Sequence, residues 1–302
     1  MIPFLHIGRI AIPTFGLMVA TAMVCAYFLL RADFLRRGLA PDKPSASAAT
    51  EAFIAVPCLA GIIGAKLYHD LQSPAEFFAH PFREMFSQYG FAWFGGLLAG
   101  FAAFVLLARV RRIPLLEILD AGSPAAALGY GVGRIGCLLS GDGDYGIPTS
   151  LPWGMSFPNG LVPTTQRVHP TPIYELIAAC VIAWWLWRLG SRQIAARQAA
   201  TASSSSRPLG ASLGVVFASY LLLTGAARFL VEFIRINPRS FLGMSNAQAA
   251  SVLSMIAGAA LWWHLARNRR AAQAVPAAAQ TRARTQTRPQ TQPRPPRSRR
   301  KR

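Results

Sequence analysis

Three charged residues near the end of one apolar run set the chemical problem. Arg228, Glu232 and Arg235 follow one another at i, i+4 and i+7, which on a helix puts all three on a single face. Two guanidiniums against one carboxylate leave that face net positive, and such a face suits a phosphate, which Arg grips with a planar two-pronged fork. A self-neutralising stripe that fixes helix packing fits the same spacing. A second cluster, GYGVGRIGCLLSGDGDYG at 129–146, sets Arg134 among glycines that let helices or lipid approach the backbone. Its plainer reading is small-residue helix contact, with Asp142 and Asp144 as solvated loop acids. The third cluster, VHPTPIYE at 168–175, places Glu175 in the first turn of an apolar run, where a carboxylate complements the helix dipole. His169 is either an interfacial hydrogen-bonding residue or a base.

The elements that must position these groups are membrane helices. Of the 302 residues 53% are hydrophobic and 14% charged, with a mean hydropathy of +0.33; soluble domains carry about 25% charge. About 20 apolar residues cross the hydrocarbon core. Seven stretches qualify, near 12–30, 50–68, 91–109, 114–139, 173–190, 213–235 and 247–266. The expected fold class is therefore all-α, a polytopic membrane protein of seven transmembrane helices with a sizeable outer loop at 140–172. The fourth stretch holds Glu117, Asp120, Pro124 and Arg134 and is expected to break or tilt where it lines a cavity. In the loop, Trp153, Phe157 and several prolines predict packing against the membrane face rather than disorder. Lys66, Arg134, Glu175, Arg228, Glu232 and Arg235 fall within or at the ends of these stretches. A charge at the bilayer centre costs about 2.5–3.5 kcal/mol on insertion scales, so they must pair, face water or sit near an interface. An interior polar site follows.

Orientation comes from the basic residues. The loops at 31–49, 109–113 and 188–212 hold four, three and four Lys/Arg, and 267–302 holds twelve with no acid. The opposite side holds Arg9, Arg83, Arg167 and Arg239, one to each segment. Basic excess marks the cytoplasmic side, so the N-terminus is expected outside and the C-terminus inside. Most of the formal net charge of +19 is that tail; the rest of the chain has 19 basic against 12 acidic residues. The expected division is a transmembrane catalytic domain at 1–266 and a disordered basic cytoplasmic tail at 267–302. The tail's partner is the anionic inner leaflet, and no nucleic acid is expected. Cys25, Cys58, Cys137 and Cys180 stand singly, without zinc or disulfide spacing, and no metal is expected. The first apolar run has no charged n-region before it and no A-x-A-like cleavage site after it, and should remain as a helix.

Taken in order, the clusters resemble the phosphatidylglycerol:prolipoprotein diacylglyceryl transferase family of bacterial inner membranes. The match runs from about Phe15 to Ile256. It is carried by GVGRIG (131–136), SGDGDYG (140–146), HPTPIYE (169–175), RFLVEFIR (228–235) and LGMSNAQ (242–248), with FGGLLAG (94–100) and GAKLY (64–68) as weaker supports. The resemblance implies transfer of the diacylglyceryl group of phosphatidylglycerol to the lipobox cysteine of a prolipoprotein signal peptide, without a cofactor. It implies a multi-pass inner-membrane enzyme whose site faces the outer, periplasmic half and whose surroundings are membrane lipids. It further implies Arg134, Arg228, Glu232 and Asp142 as catalytic residues. Arg134, Arg228, Arg235, Lys66, Gly95, Gly96, Gly146, His169 and Glu175 would bind substrate. Three residues depart from the family pattern: Phe94 stands where members have histidine, Cys137 where they have asparagine, and Lys66 where arginine is common. Phenylalanine cannot take a proton; either neighbouring cations lower the thiol pKa enough that no dedicated base is needed, or Tyr68, His69, Glu232, Asp142 or His169 takes its place. The competing readings are a diverged relative that binds anionic lipid or another substrate, and a transporter. The latter lacks any internal repeat.

Overall fold

The computed structural model describes residues 1–72, 74–82, 92–203, 212–239 and 243–286. Arg83, most of the linker-like stretch at 201–210, Leu242 and residues 287–302 lie outside them. Two strands open the chain, β1 (Phe4–Ile7) and β2 (Ile10–Pro13), an antiparallel hairpin turning at Gly8 (φ +62°). Helices α1 (Thr14–Arg37), α2 (Lys43–Gln72), the short α3 (Pro74–Ala79), α4 (Trp93–Val110) and α5 (Leu115–Ser140) follow. A second hairpin, β3 (Met155–Phe157) with β4 (Thr164–Val168), precedes α6 (Thr171–Ser203). Then come α7 (Val215–Val231), a 3-10 turn (Glu232–Ile234) and α8 (Asn246–Gln286).

The chain is mostly helical, with a long helix over each of the seven apolar stretches. Five helices, α1, α2, α6, α7 and α8, are long and apolar enough to cross a membrane; α4 has a shorter apolar core. Local sequence explains where several of them stop. Gly38 takes the left-handed conformation (φ +68°) after α1 and donates to Leu35 O, while Leu39 donates to Phe34 O, the pairing that closes a helix C-terminus. Gly141 (φ +58°) does the same after α5, donating to Cys137 O at 3.0 Å. Helix α7 gives way to the 3-10 turn six residues before Pro238, whose ring disfavours helical backbone in the residue ahead of it.

Two expectations are corrected. The fourth stretch is one unbroken helix, α5, with Pro124 buried inside it. The charge of Asp120 is met there by Gln193 Nε2 (2.6 Å) and by the backbone N–H groups of Gly214 and Phe217 (2.8 Å each), so no break is needed to solvate it. The 140–172 loop is built on a hairpin, and with the N-terminal hairpin it makes the fold mostly rather than purely helical. Tyr145 stacks on Phe157 at 5.1 Å, and both pack with Val168, Met1, Leu138 and Met155. Helix α8 runs to Gln286.

Packing sorts the helices into pairs, α2 with α4, α1 with α5, α5 with α6, and α7 with α8. Leu30, Phe34, Phe53 and Ile118 join α1, α2 and α5 in one core; Ala127, Ile182, Leu186 and Val216 join α5, α6 and α7 in another. Between α5, α6, α7 and α8 a cavity of about 700 Å³ remains.

Candidate functional site

Glu175, in the first two turns of α6, is the centre of the charged cluster. It is buried, and three guanidiniums from different elements converge on it. Arg228 Nη1 of α7 lies 2.6 Å from Oε1, Arg134 Nε of α5 lies 3.2 Å from Oε2, and Arg235 Nη1 lies 3.6 Å from Oε2. The Tyr130 hydroxyl donates to Oε1 at 2.7 Å and accepts from Arg134 Nη2 at 2.8 Å. Glu232 forms the second layer: its Oε2 is 2.9 Å from Arg228 Nη2 and 3.6 Å from Arg235 Nε, and Ser245 Oγ and Asn237 Nδ2 donate to its Oε1. Asp144 is the third carboxylate and pairs with both Arg134 and Arg235. Three arginines thus meet three acids across α5, the loop after it, α6 and the end of α7. Burial alone would raise the Asp144 carboxyl, but the hydrogen bond and charge of Arg235 and the charge of Arg134 outweigh it and hold the group below its ordinary range.

Arg235 reaches this cluster by a route that helical spacing does not describe. It follows the 3-10 turn in extended backbone (φ −84°, ψ 158°), where it bridges to Gly146. Ile147 N donates to Ile234 O and Gly146 N donates to His169 O, each at 2.8 Å. A Cβ on Gly146 would fall 2.5 Å from Ile234 O and 2.9 Å from His169 Cβ, so only glycine lets the loop seat against both strands of backbone. Through these contacts the loop is fastened to the segment that carries Arg235, and Asp144 is carried to the arginines.

Of the predicted residues, Arg134, Arg228 and Glu175 line the cavity, with Tyr130 at the same end. Elsewhere its walls are largely small and apolar, including Ala127, Ala178, Ile182, Ala227, Val231 and Ala250. Glu232 and Arg235 stand behind the lining arginines, and Gly146 and His169 hold the loop. The structure puts Gly95 and Gly96 elsewhere: they face α2, where a Cβ on Gly95 would come 2.3 Å from Gly64 O and one on Gly96 3.2 Å from Gly61 O. Their neighbour Phe94 does line the cavity. Lys66 is buried on α2 with Nζ 3.5 Å from Asp70 Oδ1 and is not part of the cavity lining. Asp142 accepts from Asp144 N at 3.2 Å and so shapes the turn that presents Asp144.

Sequence reading passed over Tyr130, Asn237 and Ser245, and treated Asp144 as a plain loop acid. The signal for Tyr130 was its spacing four residues before Arg134, one helical turn. For Asp144 no signal lay in its own segment, since its partners Arg134 and Arg235 are 10 and 91 residues away. Cys137 Sγ, Asp142 and Asp144 offer ligand atoms within 4.8 Å of one another. Two guanidiniums already occupy Asp144, and Arg134 Nη1 is 3.6 Å from the sulfur, a positive setting that disfavours a cation.

A mostly helical chain with several membrane-length apolar helices, enclosing an arginine–carboxylate cluster at one end of a largely apolar cavity, defines a multi-pass membrane protein. The family model described as prolipoprotein diacylglyceryl transferase matches residues 3–264, and the chain belongs to that family. Relatives named phosphatidylglycerol–prolipoprotein diacylglyceryl transferase include one from Geobacter sulfurreducens, 32% identical over 80% of this chain and 84% of its own length. One from Clostridium tetani is 31% identical over 81% and 89%, and one from Bordetella bronchiseptica 32% over 87% and 94%.

Proposed function

We propose that this chain transfers the diacylglyceryl group of phosphatidylglycerol to the lipobox cysteine thiol of a prolipoprotein signal peptide, the first step of lipoprotein maturation. The observation that carries the reading is the meeting of Arg134 and Arg228, from two different helices, on Glu175 at the charged end of a cavity whose other walls are largely apolar. A phosphodiester headgroup fits the arginine end and acyl chains the rest. The reaction forms a C–S bond as the glyceryl C–O bond breaks. The electron pair leaves on the phosphate oxygen as glycerol phosphate, so the largest need is positive charge over that oxygen. Arg134 and Arg228 supply it, and Arg235, Glu232 and Asp144 hold them in place.

The thiol must also lose its proton. A free thiol has a pKa near 8.5, and adjacent cations lower it, so the guanidiniums ease that step too. Phe94 faces the cavity where the family resemblance calls for histidine. Glu175 is the carboxylate among the lining residues and accepts from the hydroxyl of Tyr130, and the thiol proton ends on the released phosphate. The chain spans the inner membrane seven times with its N-terminus outside, which sets this cluster in the outer half. The catalytic unit is 1–266, and the basic tail follows on the cytoplasmic side. The test is reconstitution with phosphatidylglycerol and a lipobox peptide. A diacylglyceryl mass increase on the peptide cysteine is expected, absent when phosphatidylcholine is the only lipid. Binding of phosphatidylglycerol without any peptide modification would favour the lipid-binding reading instead.

A further inference from the structure

A second arginine cluster sits at the far end of α6. Arg197 is 22 residues beyond Glu175 on that helix, about 33 Å at 1.5 Å per residue, so it lies toward the opposite face of the membrane from the catalytic arginines. There a cavity of about 660 Å³ opens between the C-terminal turns of α1 and the last turns of α6, lined by Arg36, Arg37, Gly38, Arg197, Gln198 and Thr201 among others. The direct ion pairing around it is uneven. Arg36 and Arg37 share one carboxylate, Asp33, and Arg197 has Glu117 at 2.5 Å. Three guanidiniums are in direct contact with two carboxylates. Asp120 is held behind Gln193, which accepts from Arg37 and donates to Asp120, and backbone N–H groups fill the rest of that acid.

The hydrogen bonding is incomplete too. Arg36 stacks on Trp187 at 3.5 Å and donates through Nη1 to Trp187 O and Ser191 Oγ. Its Nη2 and that of Arg37 are buried against Gly190 with no hydrogen-bond partner among the described residues, and the Oδ2 of the shared Asp33 has none either. A positive charge left over in a largely buried place is costly unless an anion joins it.

We infer that this cavity holds a phosphate-bearing anion, gripped by Arg36 and Arg197 with Arg37 adding charge from behind. Arg36 and Arg197 keep 17% and 31% of their side chains exposed, against 0% for Arg37, so they are the two that can touch it. A phospholipid headgroup and a soluble phosphate share this chemistry. A lipid bound here would fasten α1 to α6 on the side away from the reaction.

The test reads binding and not transfer, so it stands whether or not diacylglyceryl transfer is observed. Full-length protein is delipidated, and native mass spectrometry counts the copies of added phosphatidylglycerol it retains. In parallel, melting is followed with and without inorganic phosphate. The variants are Arg197→Gln alone and Arg36→Gln with Arg197→Gln, the single change serving if the double one does not fold. One fewer retained phosphatidylglycerol in the variant, with phosphatidylcholine uptake unchanged, identifies a lipid site. A phosphate-dependent rise in melting temperature that the variant loses identifies a soluble anion. Equal lipid counts together with an equal phosphate response in parent and variant overturn the inference.

Discussion

At the scale of single residues, the account turns on which acid serves the arginines. Asp142 and Asp144 were indistinguishable by type. The structure separates them, because only Asp144 pairs with Arg134 and Arg235 while Asp142 caps the turn below it. Asp144→Asn should therefore reduce transfer by about tenfold or more, the loss of a charge-assisted bond worth about 1.5–3 kcal/mol. Asp142→Asn, which keeps an oxygen for the Asp144 amide, should cost much less. A transfer assay on both variants checks the order. The same pairing gives a pH dependence. A carboxyl held below its ordinary value of 3.8 stabilises the fold at pH above that value, and the contribution disappears as pH falls through the lower, folded value. The melting gap between parent and Asp144→Asn should be full at neutral pH and close in strong acid. A gap that stays constant would mean the pairing contributes no stability.

At the scale of elements, the seven helices were legible because hydropathy is a property of stretches, and each apolar run became one. What was hidden depends on partners distant in sequence. The i, i+4, i+7 spacing grouped Arg228, Glu232 and Arg235 correctly, but by assuming a helix that ends at Val231. Arg235 joins the group through its backbone pairing with Gly146, which no periodicity encodes. Gly95 and Gly96 were read as cavity glycines because they lie in a motif; the helix they face, α2, was not deducible from their own segment. Gly95→Ala would drive a Cβ into Gly64 O at 2.3 Å and should lower the melting temperature, overpacking of this kind costing about 1–3 kcal/mol. Gly122→Ala, with open space around it, should not. Equal melting of the two would contradict the close α2–α4 contact.

At the scale of the whole molecule, Arg134 and Arg228 lie toward one end of α6 and Arg36, Arg37 and Arg197 toward the other. Removing residues 272–302 should leave transfer within about twofold, since lysine and arginine near a surface contribute about 1 kcal/mol each to membrane attraction and not to chemistry at the far end. Abolished transfer in a folded truncation would give the tail a role in the reaction. A reporter fused after Arg302 that is active only outside the cytoplasm should stay silent. The central claim is that Arg134 and Arg228 together bind the phosphate that leaves. It is tested most directly by transfer rates of reconstituted Arg134→Ala and Arg228→Ala, beside Arg→Lys at both positions. Each alanine variant should lose at least about tenfold, with lysine recovering part, because a point charge replaces the fork but not its geometry. Folded alanine variants that both transfer at the parent's rate would contradict it.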